Sequence, residues 1–99
     1  MSTPLSTLLD DPSAIPYFLW DEPLTVGELR RRLESGSEQE RIRLLAKMLR
    51  EARDADVWRF TTPQQVFRQF PKLKPYLGRR RAFWEFLLHR WHEAGLIDG

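Results

Sequence analysis

The sequence predicts an all-α fold: a compact bundle of about four helices, preceded by an extended, proline-rich N-terminal strap. Three observations carry that expectation. Apolar residues recur at three- and four-residue intervals through most of residues 24–99, the spacing that puts them on one side of a helix. At Thr25, Ser37 and Thr62 a Glu or Gln follows three residues later, the arrangement that caps a helix start. Four of the seven prolines, Pro4, Pro12, Pro16 and Pro23, fall within the first 23 residues, where each removes a backbone donor and restrains the residue before it.

Residues 1–23 therefore read as an extended strap with at most one short helical turn, and residues 24–99 as a single helical domain. The end of the strap, Ile15-Pro16-Tyr17-Phe18-Leu19-Trp20, is too apolar to remain in water. It is expected to dock on the helical body; the alternative is an exposed partner-binding segment, with Tyr17 and Trp20 as its contact residues. Asp10-Asp11 before Pro12 is turn chemistry.

The first helix is expected over 25–35, capped by Thr25 with Glu28 behind it and carrying Val26, Leu29 and Leu33 on one side. Ser35-Gly36 ends it. Ser37 and Glu40 start the second, over 37–53, whose inner face holds Ile42, Leu45, Ala46, Leu49 and Ala52, with Met48 alongside. Arg43, Lys47, Arg50 and Glu51 lie opposite and are expected in solvent, with Lys47 and Glu51 one turn apart. The short link makes these two helices an antiparallel hairpin. Residues 54–60 connect onward with buried anchors, as either a helical turn or an extended stretch.

Thr62 caps the third helix, over 62–70, with Pro63 at its first position, Gln65 completing the capping box, and Val66, Phe67 and Phe70 facing inward. Pro71 and Pro75 are expected to stop it. The last helix is expected over 79–94, beginning near Gly78 and ending at Gly95, with Leu96 and Ile97 folded back over its end. It carries two apolar seams: Phe83, Phe86, Leu87 and Ala94 form one, and Trp84, Leu88 and Trp91 form the other. A single core face needs only one. The second seam, Trp84, Leu88 and Trp91, is the expected partner surface.

A chain of 99 residues, 41% hydrophobic and 30% charged, has enough apolar content to fold around one core and little room for a deep catalytic cleft besides. It contains no cysteine, which excludes disulfides, a thiolate nucleophile and a cysteine-based zinc site. The N-terminus lacks the pattern of a signal peptide and no run has membrane-spanning length, so a cytoplasmic location without a membrane partner is expected.

Few residues suggest reaction chemistry. His89 and His92 share one side of the last helix at a spacing compatible with two metal ligands, but no third ligand accompanies them. Asp54 and Asp56 suit turn capping better than paired acid–base work. There is no glycine-rich phosphate loop, no Ser–His–Asp pattern and no nucleophile elbow. The expectation is a protein that is not an enzyme, with no cofactor, no metal and no small-molecule substrate.

The net charge is only +2, so the placement of cations matters more than their number. They concentrate at Arg30-Arg31-Arg32 and at Arg79-Arg80-Arg81, with Lys72 and Lys74 just before the second cluster. Three arginines at a helix start are unfavourable for the helix dipole, a cost that a phosphate backbone or an acidic protein would offset. Lys72, Lys74, Arg79, Arg80 and Arg81 are thus the candidate nucleic-acid contacts, in a region with a helix-turn-helix outline. Its long connection and the Phe, Trp and Leu of the second helix argue against base reading.

Pro16-Tyr17-Phe18-Leu19-Trp20-Asp21, Leu49-Arg50-Glu51-Ala52-Arg53, Val57-Trp58-Arg59-Phe60 and Gly78-Arg79-Arg80-Arg81-Ala82-Phe83-Trp84 together carry a resemblance. Over about residues 16–97 the chain resembles a group of short helical bacterial proteins. Their genes often lie beside nucleotidyltransferase-type toxins of the abortive-infection class. The resemblance implies an antitoxin or toxin-associated role and transfers no catalytic residue. The expected function is a helical protein–protein interaction module whose partner is a toxin-like nucleotidyltransferase or a second copy of the chain. The alternative is a nucleic-acid-binding transcriptional regulator.

Overall fold

The apolar stretch that begins at Ile42 forms the centre of the fold. The computed structural model describes residues 5–98. Its helices are α1 (Val26–Ser35), α2 (Glu38–Glu51), α3 (Asp54–Val57), α4 (Pro63–Leu73) and α5 (Arg81–Glu93). Every residue from Leu44 to Leu49 is buried, which no surface helix achieves, because α2 is covered by α1, α3, α4 and the turns on either side. Leu9, Phe18, Leu29, Val57, Val66, Leu73, Leu77, Trp84, Leu88 and Ile97 complete the core around it.

The three expected capping sites all form. The side chains of Thr25, Ser37 and Thr62 accept hydrogen bonds from the backbone N–H of Glu28, Glu40 and Gln65 at 3.1, 3.2 and 3.2 Å. Each satisfies a donor that the first helical turn leaves unpaired. Gly36 closes α1 by a close approach: a Cβ there would lie 2.4 Å from the carbonyl oxygen of Arg32. At the other end of the chain Gly95 takes a φ of 79°, its N–H bonds to the carbonyl of His92 and that of Leu96 to Trp91, the paired pattern of a left-handed helix stop. Ile97 folds back into the core as expected, whereas Leu96 points outward and is 73% exposed.

Three expectations about the elements need correction. The proline-rich segment is folded, not an extended strap. β1 (Leu5–Ser6) pairs in parallel with β2 (Ile15–Pro16), turns lie between them, and Tyr17–Leu19 form a 3₁₀ turn. The first four residues of the expected strap lie outside the described residues. Asp11 organises one of these turns by accepting from the N–H and hydroxyl of Ser13 at 3.0 and 2.8 Å.

Pro71 does not end α4, which continues to Leu73. A proline inside a helix costs about 3 kcal/mol. Continuing the turn places Leu73 and Leu77 in the core, both fully buried, each contributing about 1.5–3 kcal/mol. Burial outweighs the broken turn. Residues 54–57 form a helical turn, α3, which adds one helix to the four expected, and two 3₁₀ turns, Lys74–Tyr76 and Gly78–Arg80, join α4 to α5.

Lys47, expected in solvent, is 6% exposed. The N-terminal segment folds over it and supplies two carboxylates: Lys47 pairs with Asp21, and with Glu22 at 3.0 Å. Glu22 is also held by Arg43 at 2.7 Å. No helix among the described residues is long and apolar enough to cross a membrane.

Candidate functional site

The two seams of α5 are assigned the opposite way from the expectation. Trp84 and Leu88 are 0% and 1% exposed, so these two expected contact residues belong to the core and offer no surface to a partner. Trp91 is half-buried, packed against Trp58 at a ring separation of 5.8 Å. The side that was assigned inward is the one in water: Phe83 is 36% and Phe86 64% exposed.

Hydrogen bonding explains the choice between the seams. The last carbonyls of α2 lack partners within their own helix. The Trp84 indole N–H donates to the Leu49 carbonyl at 2.8 Å, inside the core. Trp58 meets the Trp84 ring edge-on at 5.7 Å, a favoured aromatic geometry. Phenylalanine has no donor and cannot take this position without leaving the carbonyl bare.

Of the two expected contacts in the N-terminal segment, Tyr17 is docked and Trp20 is free. The Tyr17 hydroxyl donates to Asp56 at 2.5 Å and accepts from the N–H of Arg53 at 2.8 Å. Burial and the hydrogen bond to Asp56 both push the Tyr17 phenol above its ordinary range. Trp20 is 62% exposed.

The expected phosphate contacts are largely committed inside the chain. Lys72 pairs with Glu38, Arg80 with Asp54, and Arg81 lies 3.8 Å from Glu85. Arg80 also lies over the Phe83 ring at 4.3 Å and joins α3 to the start of α5, so its role is structural. Lys74 and Arg79 make no ion pair among the described residues. The other triplet is engaged as well: Arg30 donates to the Arg59 carbonyl, Arg31 pairs with Glu28, and Arg32 pairs with Glu28 and Glu40.

The histidines are separated by their neighbours. His89 pairs with Glu93 at 2.5 Å, while His92 stacks on Phe67 with ring centroids 4.9 Å apart. Among the described residues, no group of three His, Cys, Asp or Glu side chains could hold a metal ion.

Two surfaces stand out as places for a partner. A groove of about 950 Å³ runs along α2, bounded by Asp21, Glu22, Arg43, Lys47, Arg50 and Tyr76. Its carboxylates are engaged within the chain: the hydrogen bond from Lys47 holds the Asp21 carboxyl below its ordinary range, and Arg43 does the same for Glu22. The outer face of α5 is different. Phe83 and Phe86 stand exposed there, Arg90 lies 5.8 Å from the Phe86 ring centre, and Arg79 sits in the turn leading into the helix. Neither arginine has a carboxylate within ion-pair distance among the described residues.

Comparison with known proteins finds no matching family model, no similar curated protein and no similar solved structure. The functional reading therefore rests on this chain's own surfaces. The α5 face was hidden from sequence reasoning by its resemblance to core: helical spacing shows that two seams exist and not which one turns inward.

Proposed function

We propose that the chain is a helical protein–protein interaction module that binds its partner through the outer face of α5. The observation that supports this is the exposure of Phe83 and Phe86 together with two arginines, Arg79 and Arg90, that lack carboxylate partners among the described residues. Aromatic and arginine side chains dominate the binding energy of interfaces. The face asks for an apolar segment flanked by carboxylates. A second copy of the same face would set arginine against arginine, which disfavours self-association there.

We further propose, on the expected resemblance to proteins encoded beside nucleotidyltransferase-type toxins and on no surface feature, that the partner is such a toxin. In this reading the chain is an antitoxin or toxin-associated protein. The nucleic-acid reading gains no support from the committed Lys72, Arg80 and Arg81.

Co-expression with the product of the neighbouring gene tests the proposal. A stable complex is expected, and Phe86→Glu is expected to weaken it by about 2 kcal/mol, roughly thirtyfold, while circular dichroism and thermal unfolding stay those of the parent chain. A complex that survives both Phe86→Glu and Arg90→Glu at full affinity would falsify the assignment of the face. Binding to duplex DNA that falls steeply with salt, without a protein complex, would replace it with the regulator reading.

A further inference from the structure

A smaller cleft lies where α2 crosses α4, away from the outer face of α5. Its volume is about 250 Å³, and Leu33, Ile42, Leu45 and Phe60 supply apolar walls. Arg41 from α2 and Arg68 from α4 line the same cleft, and neither makes an ion pair among the described residues. The one carboxylate at the cleft, Glu38, is already held by Lys72, whose hydrogen bond keeps it below its ordinary range, with Arg41 adding a smaller effect. The half-buried Arg41 and the exposed Arg68 thus line one small space without an ion pair of their own among the described residues.

The uncharged polar groups fit an anion as well. The buried Thr61 hydroxyl donates to the Gln65 side-chain oxygen at 2.9 Å, which leaves the Gln65 amide NH₂ unbonded among the described residues. Gln69 lines the cleft one turn further along α4. Guanidinium forks and amide NH₂ groups are donors only at these atoms, and two arginines match the double charge and tetrahedral oxygens of a phosphoryl group.

We infer that this cleft binds a small organic phosphate monoester. Its phosphoryl head sits between Arg41 and Arg68 with the amides of Gln65 and Gln69, and its apolar part lies against Phe60 and Leu33. The cleft volume is that of a small molecule, below the usual range for drug-sized ligands of about 300–1,000 Å³. The sequence led to the expectation of no small-molecule ligand, because Arg41 and Arg68 are far apart in the chain and line one cleft only when α2 and α4 pack.

The test is a titration of the full-length, isotope-labelled chain with phenyl phosphate and with inorganic phosphate, followed by amide chemical shifts. Saturable shifts are expected at Thr61, Gln65, Arg68 and Arg41 with phenyl phosphate, and about tenfold weaker binding is expected for inorganic phosphate, which lacks the apolar part. Arg41→Gln and Arg68→Gln should each weaken phenyl phosphate binding about tenfold with unchanged thermal unfolding, and Phe86→Glu should leave it unaltered. The inference is overturned if phenyl phosphate gives no saturable shift. It is equally overturned if the double variant Arg41→Gln/Arg68→Gln binds as the parent does, or if the shifts centre on Arg79 and Arg81.

Discussion

Trp84 shows how one atom decides the orientation of a helix. Its indole nitrogen is the donor that reaches the Leu49 carbonyl, and Tyr17 performs the complementary service by accepting from the N–H of Arg53 just beyond the same helix. Two aromatic side chains from opposite ends of the sequence thus finish the C-terminal end of α2. Replacing Trp84 by Phe keeps an aromatic ring but strands a buried carbonyl, which costs about 1–3 kcal/mol, and opens a cavity costing roughly 1 kcal/mol more. Trp84→Phe is therefore expected to lower stability by about 2–4 kcal/mol in urea unfolding, whereas Phe86→Ala, on the exposed face, should change it by less than about 0.5 kcal/mol. Equal losses at the two positions would mean that the outer face of α5 is packed rather than open.

At the scale of elements, what could be read from the sequence divides by range. Thr25, Ser37 and Thr62 were identifiable because a cap depends on a residue only three positions away, and the same holds for Gly95 and its left-handed stop. The seams of α5, the burial of Lys47 and the continuation of α4 through Pro71 depend on residues far along the chain: Leu49, Asp21 and the pocket that receives Leu73. Periodicity reports that a face is apolar, and only tertiary contacts say what covers it. The candidate sites share that limit, since Arg41 and Arg68 carry no local signal. The two terminating glycines give a graded prediction. Gly95→Ala forces a left-handed φ on a residue whose Cβ meets nothing within 4 Å, a cost of about 1–2 kcal/mol. Gly36→Ala drives a Cβ to 2.4 Å from the Arg32 carbonyl oxygen, and backbone must move. Thermal unfolding should rank Gly36→Ala as the more destabilising of the two, and the reverse order would show that the link between α1 and α2 yields easily.

The whole molecule combines two kinds of cohesion. Its body is held by apolar burial around α2, whereas the N-terminal segment adds charge to its own buried Leu9, Phe18 and Leu19: Asp21 and Glu22 on Lys47 and Arg43, with Arg59 reaching Asp10 at 2.7 Å. The difference makes the segment sensitive to acid. Asp21 is held below its ordinary range chiefly by the Lys47 hydrogen bond, and Glu22 chiefly by that of Arg43. A carboxyl whose pKa is lowered on folding adds stability above its unfolded pKa and loses that contribution as the pH falls through its folded pKa. The fastening should therefore hold at neutral pH and weaken below a pH of about 4. Lys47 shows the complementary shift: burial alone would lower its pKa, but its two carboxylates outweigh burial and raise it, so the amine stays charged across the neutral range. Hydrogen exchange of residues 19–24 should accelerate on acidification before that of α2, whose buried face is apolar apart from Lys47. Lys47→Met, which removes the amine and leaves Asp21 without its partner, should make those residues exchange faster at pH 7 and remove the Asp21 part of the further change on acidification, leaving the part that Glu22 and Arg43 carry. An acid response that persists undiminished in Lys47→Met would show that Asp21 contributes nothing to it and would leave Glu22 and Arg43 as the sensitive contact.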